Sequence, residues 1–166
     1  NLLQQSFIKG KLLLLEPRRV AARSIANYLA KCLGESVGET VGLRMRGQTK
    51  VSNKTRLEVV TEGVLTRMLQ SDPELDGYAV ILFDEFHERS LQADLAFAFS
   101  YEVQQGLRDD LKLVLMSATL DVTVAKRILP DAPIVESQGR QFPVQTFYRP
   151  LARLDVYQGL VKVVEE

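Results

Sequence analysis

The chain of 166 residues has one cysteine, Cys32, one histidine, His87, and no tryptophan. A lone cysteine cannot close an intrachain disulfide, so the fold must rest on its apolar core, as suits a reducing compartment. No apolar run exceeds the six residues Tyr78–Phe83, far short of the ~18 that a membrane-spanning helix needs. No charged-then-apolar leader opens the chain. These absences lead us to expect a cytoplasmic domain, with a nucleus the other compartment they allow, and no membrane partner. There is no net charge either. The 21 basic residues balance the 21 acidic ones, which argues against a general polycation. Neither an internal repeat nor a low-complexity segment is visible.

What is present is unevenly placed. From Pro17 to Leu57 nine basic residues face two acids, Glu35 and Glu39. From Leu69 to Gly106 the only basic residue is Arg89, among eight acids. Such a division lets one surface meet a polyanion and another a cation, unless both are simply solvated faces.

Short apolar runs alternate with helical stretches. Lys11–Leu15, Val41–Met45, Leu57–Val60, Tyr78–Phe83, Leu111–Met116 and Pro133–Glu136 read as strands. A helix is expected between Pro17 and Gly34, with Val20, Ala21, Ile25, Tyr28, Leu29 and Cys32 on its inner face. A second runs from Thr61 through Gln70, with Val64, Leu65, Met68 and Leu69 inward. A third, capped by Ser90, runs to about Gly106, and a fourth, capped by Asp121, ends before Pro130. This alternation predicts an α/β fold, a parallel sheet with right-handed crossovers and helices on both faces. Val144–Tyr148 alternates like an edge strand, Arg149-Pro150 reads as a linker, and Leu151–Glu166 as the start of a further element.

Four places carry chemistry. Tyr78–Phe83 delivers Asp84 and Glu85 at the carboxyl end of a buried strand, where open parallel sheets bind their ligands. There one acid can hold a hydrated Mg²⁺ and the other orient an attacking water, unless the pair is only an acidic surface turn. Leu113–Met116 similarly ends in Ser117 and Thr119. Those hydroxyls can reach the neighbouring carboxylates or His87, or cap a helix. Arg18 and Arg19 stand at a strand-to-helix junction, an arrangement that opposes the helix dipole unless a phosphate chain lies there or the side chains pair with Glu16. Thr61 and Gly63 offer a hydroxyl and an uncovered backbone N–H, suited to a sugar-phosphate contact or to a plain helix start.

In their order these segments resemble the first RecA-like domain of superfamily 2 helicases, within the DEAH/RHA group. Glu16-Pro-Arg-Arg-Val-Ala-Ala-Arg23 looks like motif Ia, Thr61-Glu-Gly-Val-Leu65 like motif Ib, Asp84-Glu-Phe-His-Glu-Arg-Ser90 like motif II, and Ser117-Ala-Thr119 like motif III. Phe86 stands where alanine is usual, a variant similar to the bacterial HrpB-type branch. The resemblance, over about residues 8–150, implies a three-layer fold of the P-loop NTPase type. It also implies ATP-driven unwinding of, or movement on, single-stranded or partly duplex nucleic acid, RNA or DNA. Asp84 and Glu85 would then bind Mg²⁺ through water, with Glu85 activating the hydrolytic water. His87 would sense the nucleotide, Ser117 and Thr119 would relay its state, and Arg18, Arg19, Thr61 and Gly63 would grip the backbone.

A phosphate loop, Gly-x-x-x-x-Gly-Lys-Ser/Thr, does not occur in the 166 residues. The only Gly-Lys pair, Gly10-Lys11, is followed by Leu12 and precedes a strand instead of following one. The expected organisation is therefore a RecA-like domain over 1–140, lacking its first strand and phosphate loop, then a linker and the start of a second domain over 141–166. On that expectation the fragment by itself does not hydrolyse ATP. The other reading is a binding module that has kept the fold and dispensed with the nucleotide.

Overall fold

The computed structural model describes residues 8–119, 122–137 and 145. The chain divides after Ala132 into two compact units, Asn1–Ala132 and Pro133–Glu166, and every element below lies in the first. In order they are β1 (Lys11–Leu15), α1 (Arg19–Cys32), β2 (Val41–Met45), β3 (Gln48–Lys50), β4 (Leu57–Val60), α2 (Glu62–Ser71), β5 (Tyr78–Phe83), α3 (Leu91–Gly106), β6 (Lys112–Leu115) and α4 (Val122–Ile128).

The strands form one sheet in the order β3-β2-β4-β1-β5-β6. All neighbours are parallel except β2 and β3, which form an antiparallel hairpin. The expected sheet is thus present but mixed. Strand β3 lies inside Arg46–Arg56, read from sequence as a plain polar stretch, because it is largely exposed and carries no apolar alternation. The hairpin's two-residue turn is Arg46-Gly47, and Gly47 adopts φ +79°, a conformation that glycine enters without steric cost.

Period-two alternation divides the strand residues between two cores. Leu12, Leu14, Val80 and Leu82 face α1 with Ala22, Ala26 and Ala30. Leu13, Leu15, Ile81 and Phe83 face α2 and α3 with Leu65, Leu69, Ala96 and Phe97. Helices therefore cover both sheet faces, which explains why β1 and β5 are nearly continuous apolar runs. Each fully buried Leu, Ile or Phe contributes roughly 1.5–3 kcal/mol.

The inner face of α1 differs from the expected one. Its buried residues are Ala22, Ala26 and Ala30, with Ile25 and Leu29 partly covered, whereas Val20 and Tyr28 are 80% and 67% exposed and Cys32 is exposed. Small alanines let the helix axis approach the sheet closely, and that fit outweighs the bulk of Val20 and Tyr28. Pro133–Glu136 is not a strand, and Ile134 and Val135 there are exposed. The expected Asp121 cap, the Val144–Tyr148 strand, the Arg149-Pro150 linker and Leu151–Glu166 lie outside the described residues.

From β1 the chain crosses through α1 to β2 on one side, and from β4 it crosses through α2 to β5 on the other. The carboxyl ends of β1 and β5 therefore flank the point where the winding reverses, the usual ligand crevice of an open α/β sheet.

Candidate functional site

Asp84 leaves β5 at that crevice. Its N–H donates to the Leu15 carbonyl at 3.0 Å, Met116 N–H to Phe83 at 2.8 Å, and Phe86 N–H to Met116 at 3.0 Å. The acidic loop is thereby stitched to the ends of both flanking strands. Glu85 and Arg89 bracket a 3-10 turn at Phe86–Glu88, and both adopt left-handed backbone, φ +50° and +49°. Such a conformation costs energy in a side-chain-bearing residue and collects at functional sites. Phe86 holds the turn down. It is buried and meets Phe83 and Phe97 edge-on, with ring centroids 6.4 and 5.5 Å away. Arg89 lies over its outer face at 5.5 Å. The phenylalanine that replaces the usual alanine is thus a core anchor.

His87 links the two strand tips. Its Nδ1 lies 3.2 Å from the Ser117 hydroxyl and 3.4 Å from Glu85 Oε2. Ser117 Oγ also accepts the Thr119 N–H at 3.2 Å, and Asp84 Oδ1 accepts the Glu85 N–H at 2.9 Å. Asp84, Glu85, His87, Ser117 and Thr119 therefore lie in one run of polar contacts across the tips of β5 and β6, hydrogen-bonded except between Glu85 and His87, which meet as a charge contact. Glu85, His87 and Glu88 present donor atoms within 4.8 Å of one another. His87 is engaged by Ser117, however, and Glu88 by Arg18. The all-oxygen pair Asp84 and Glu85 is the set that fits a hydrated Mg²⁺, a hard cation that keeps much of its own water.

Beside these acids lies Glu16, at the end of β1 and only 2% exposed. It accepts the Arg18 N–H at 3.3 Å. Burial pushes its carboxyl above the usual range. The Arg18 N–H opposes this, and the negative charges of Asp84, Glu85 and Glu88 add to it. Sequence inspection quoted Glu16 only as a partner for arginine. The structure gives it the backbone of Arg18, while the Arg18 guanidinium reaches Glu88 at 2.5 Å.

The basic residues spread from there. Arg19 donates to the Arg46 carbonyl at 3.1 Å and Arg23 to Gln48 Oε1 at 3.0 Å, so α1 grips the β2–β3 hairpin. Thr61 precedes α2 but makes no side-chain cap, and it is buried. Gly63 is exposed, with nothing within 4 Å of where a side chain would begin. Ser90 caps α3 by accepting the Ala93 N–H at 3.0 Å, and it donates to Glu62 at 2.5 Å. Between the hairpin and α2 opens a cavity of about 340 Å³ lined by Arg44, Arg46, Arg67 and the apolar edges of Val64 and Met68. Arg46 was read only as part of a basic run, Glu62 and Glu88 only as members of motif segments, and Arg67 was not singled out. The basic run Arg44–Arg56 was the signal for the first, and nothing local marks the role of the others.

Gly10-Lys11 stands at the opposite end of β1. A side chain at Gly10 would meet the Gly77 carbonyl at 3.0 Å, and Lys11 Nζ bonds Glu58 at 3.1 Å. That pair packs strands and cradles no phosphate.

A reversing parallel sheet, an Asp-Glu-x-His turn at one strand tip and a Ser-x-Thr tip beside it stand in a chain that is similar, over nearly its whole length, to part of the DEAH/RHA helicases. Among these it is similar to HrpB. It is 62% identical over 163 residues to the ATP-dependent RNA helicase HrpB of Escherichia coli (strain K12), covering 98% of this chain and 20% of that relative. A crystal structure of the Escherichia coli DEAH/RHA helicase HrpB superposes with a TM-score of 0.91 at 58% identity, over 99% of this chain and 21% of the other. The ATP-dependent RNA helicase HrpA of Escherichia coli (strain K12) is 39% identical over 165 residues, 96% of this chain and 13% of the relative. No protein-family model matches. The chain spans about a fifth of the length of the HrpB proteins it matches.

Proposed function

We propose that this chain is the motif-bearing part of an ATP-dependent nucleic-acid helicase, with RNA as its substrate, comprising a first RecA-like domain over 1–140 and a linker with the start of a second over 141–166. The relatives' names supply the activity. The observation that carries it to this chain is the Glu85–His87–Ser117 connection between the tips of β5 and β6. A pure binding module has no use for a carboxylate and a hydroxyl from neighbouring strand tips that meet at one imidazole nitrogen.

In this reading bound Mg²⁺-ATP supplies the phosphoryl group that is transferred. Asp84 holds the water shell of the metal, and Glu85, kept in a left-handed conformation, orients the attacking water. His87 and Ser117 register the change at that site, and Thr119 is tied to Ser117 through its N–H. Arg18, Arg19 and Gly63 form a track for the strand, which continues into the basic cavity of Arg46 and Arg67. Thr61 is buried and its backbone is already bonded to Arg44, Val64 and Leu65, so in this reading it holds the start of α2 beside the track. Contacts of this kind bind phosphate and sugar without reading bases. The fragment has no Gly-x-x-x-x-Gly-Lys-Ser/Thr cradle of its own, so it is expected to be inactive alone.

ATP hydrolysis by the full-length protein, with Mg²⁺ and oligoribonucleotide present or omitted, tests this. Activity should require Mg²⁺ and rise with RNA, and Glu85→Gln should cut it by at least about 100-fold. A full-length protein that binds RNA and never hydrolyses ATP would favour the nucleotide-independent module. Comparable hydrolysis by the 166-residue chain alone would contradict the fragment's expected inactivity. DNA in place of RNA in the same assay settles the substrate.

A further inference from the structure

We propose that Glu88 is an internal stand-in for a nucleic-acid phosphate: it holds Arg18 while no strand is bound and yields it when a backbone phosphate arrives. The inference rests on the reading of Arg18 as a strand contact and adds a link from that contact to the acidic loop.

Three observations carry it. The Arg18 side chain is 71% exposed, yet its guanidinium is already spoken for by Glu88, 70 residues away and on the loop that bears Asp84 and Glu85. The stem of Arg18 does not have to move for an exchange, because Glu16 holds its backbone N–H and only the guanidinium must turn outward. Glu88, for its part, donates its own N–H to the Glu85 carbonyl at 2.9 Å. Release of the Glu88 carboxylate is thereby felt one hydrogen bond away, at the residue that orients water.

The physical chemistry permits the exchange. An exposed ion pair in salt water is weak and easily surrendered. A phosphate brings a full charge together with the release of its condensed counterions. The first turn of α1 carries no acid, so the helix N-terminus adds its partial positive charge on the side of the phosphate. Meanwhile Ser90–Glu62 ties the far end of the same loop to the start of α2. The loop is therefore fixed at Ser90 and anchored at Phe86, with Glu88 the contact between them that a strand can replace. In this role Glu88 is a positioning residue, since it touches neither nucleotide nor strand.

The test is a double-mutant cycle on binding of a fluorescein-labelled oligouridine to the full-length protein across a salt series. Both residues are surface-accessible, so Arg18→Gln and Glu88→Gln should fold as the parent does. Arg18→Gln should weaken binding and lower the salt slope by about one. Glu88→Gln should tighten binding roughly two- to fivefold, the scale of one surface ion pair. In the Arg18→Gln background, Glu88→Gln should have no effect. If Glu88→Gln leaves affinity unchanged, or its gain survives in that background as mere removal of a negative charge, the exchange is wrong while the strand contact stands. If Arg18→Gln itself changes nothing, or the full-length protein has no affinity for the oligonucleotide, the strand contact falls and the exchange with it.

Discussion

Two buried glutamates on neighbouring strands of this sheet have opposite surroundings. Glu58, on β4, is fully buried and accepts from Arg44 Nε at 2.6 Å and from Lys11 Nζ at 3.1 Å. Burial alone would raise its pKa, but the Arg44 and Lys11 bonds outweigh burial and hold it below the usual carboxylate range. Glu16, at the carboxyl end of β1, is as well hidden but lies among Asp84, Glu85 and Glu88, and its pKa is raised. One region satisfies its charge and fastens three strands together. The other is buried among like charges, which a bound cation would offset. The contrast teaches that this sheet separates its tasks along the strands, with stability built into the interior and chemistry placed at the carboxyl ends, where strain and repulsion can be relieved by a ligand.

The largest effect should come from breaking the satisfied region. Glu58→Gln should destabilise the chain by about 2–3 kcal/mol at neutral pH, near the lower end for breaking a buried pair because both cations also reach water. Chemical denaturation measures it, and a loss within error would erase the distinction. Glu16→Gln should act in the other direction. It removes a buried charge facing three others, so stability should rise by up to about 1 kcal/mol. A loss of similar size would show that Glu16 is held by attractive partners.

The two sites should also separate by pH. Glu58, with its pKa depressed in the folded state, contributes stability that is full above the ordinary carboxylate value of about 4.3 and is lost as pH falls through its lower folded value. Glu16, with its pKa raised, binds its proton more tightly when folded. Its cost is therefore absent below about 4.3 and grows as pH rises toward the raised value. Melting temperature against pH for the parent, Glu58→Gln and Glu16→Gln should show the Glu58 variant losing the acid-side slope and the Glu16 variant losing the decline on the neutral side. The smallest effect is expected at the tip of β6, where Ser117→Ala should stay within about 0.5 kcal/mol of the parent stability. A larger loss would mean that the hydroxyl supports the fold as well as the site.

Much of the architecture was legible because it is written locally. Apolar runs with sharp polar ends marked β1, β2, β4, β5 and β6, and Ser90 marked α3 as its side chain in fact does. The hairpin strand β3 was not, because three polar residues, two of them exposed, carry no periodic signal. The inner face of α1 was misjudged because side-chain bulk was weighed, whereas packing against a sheet selected the alanines. Within the site, the Asp84–His87 and Ser117–Thr119 segments were visible as strand ends rich in reactive side chains. Glu88 and Glu62 stood in motif segments without a role, and Arg67 went unmarked, because what each does depends on what it faces.

By itself, then, the sequence determined most of the strands and helices, though not β3 and not the end of the sheet at Pro133–Glu136, that the sheet is buried on both faces, and which strand tips carry acids and hydroxyls. These follow from hydrophobic period and turn chemistry, which act over a few residues. Only the tertiary structure decided the order β3-β2-β4-β1-β5-β6, the pairing of His87 with Ser117, and the reach of Arg18 to Glu88. Those contacts join residues 30 and 70 positions apart. Such meetings are set by which helix covers which face and where the chain reverses across the sheet, and no local pattern encodes that.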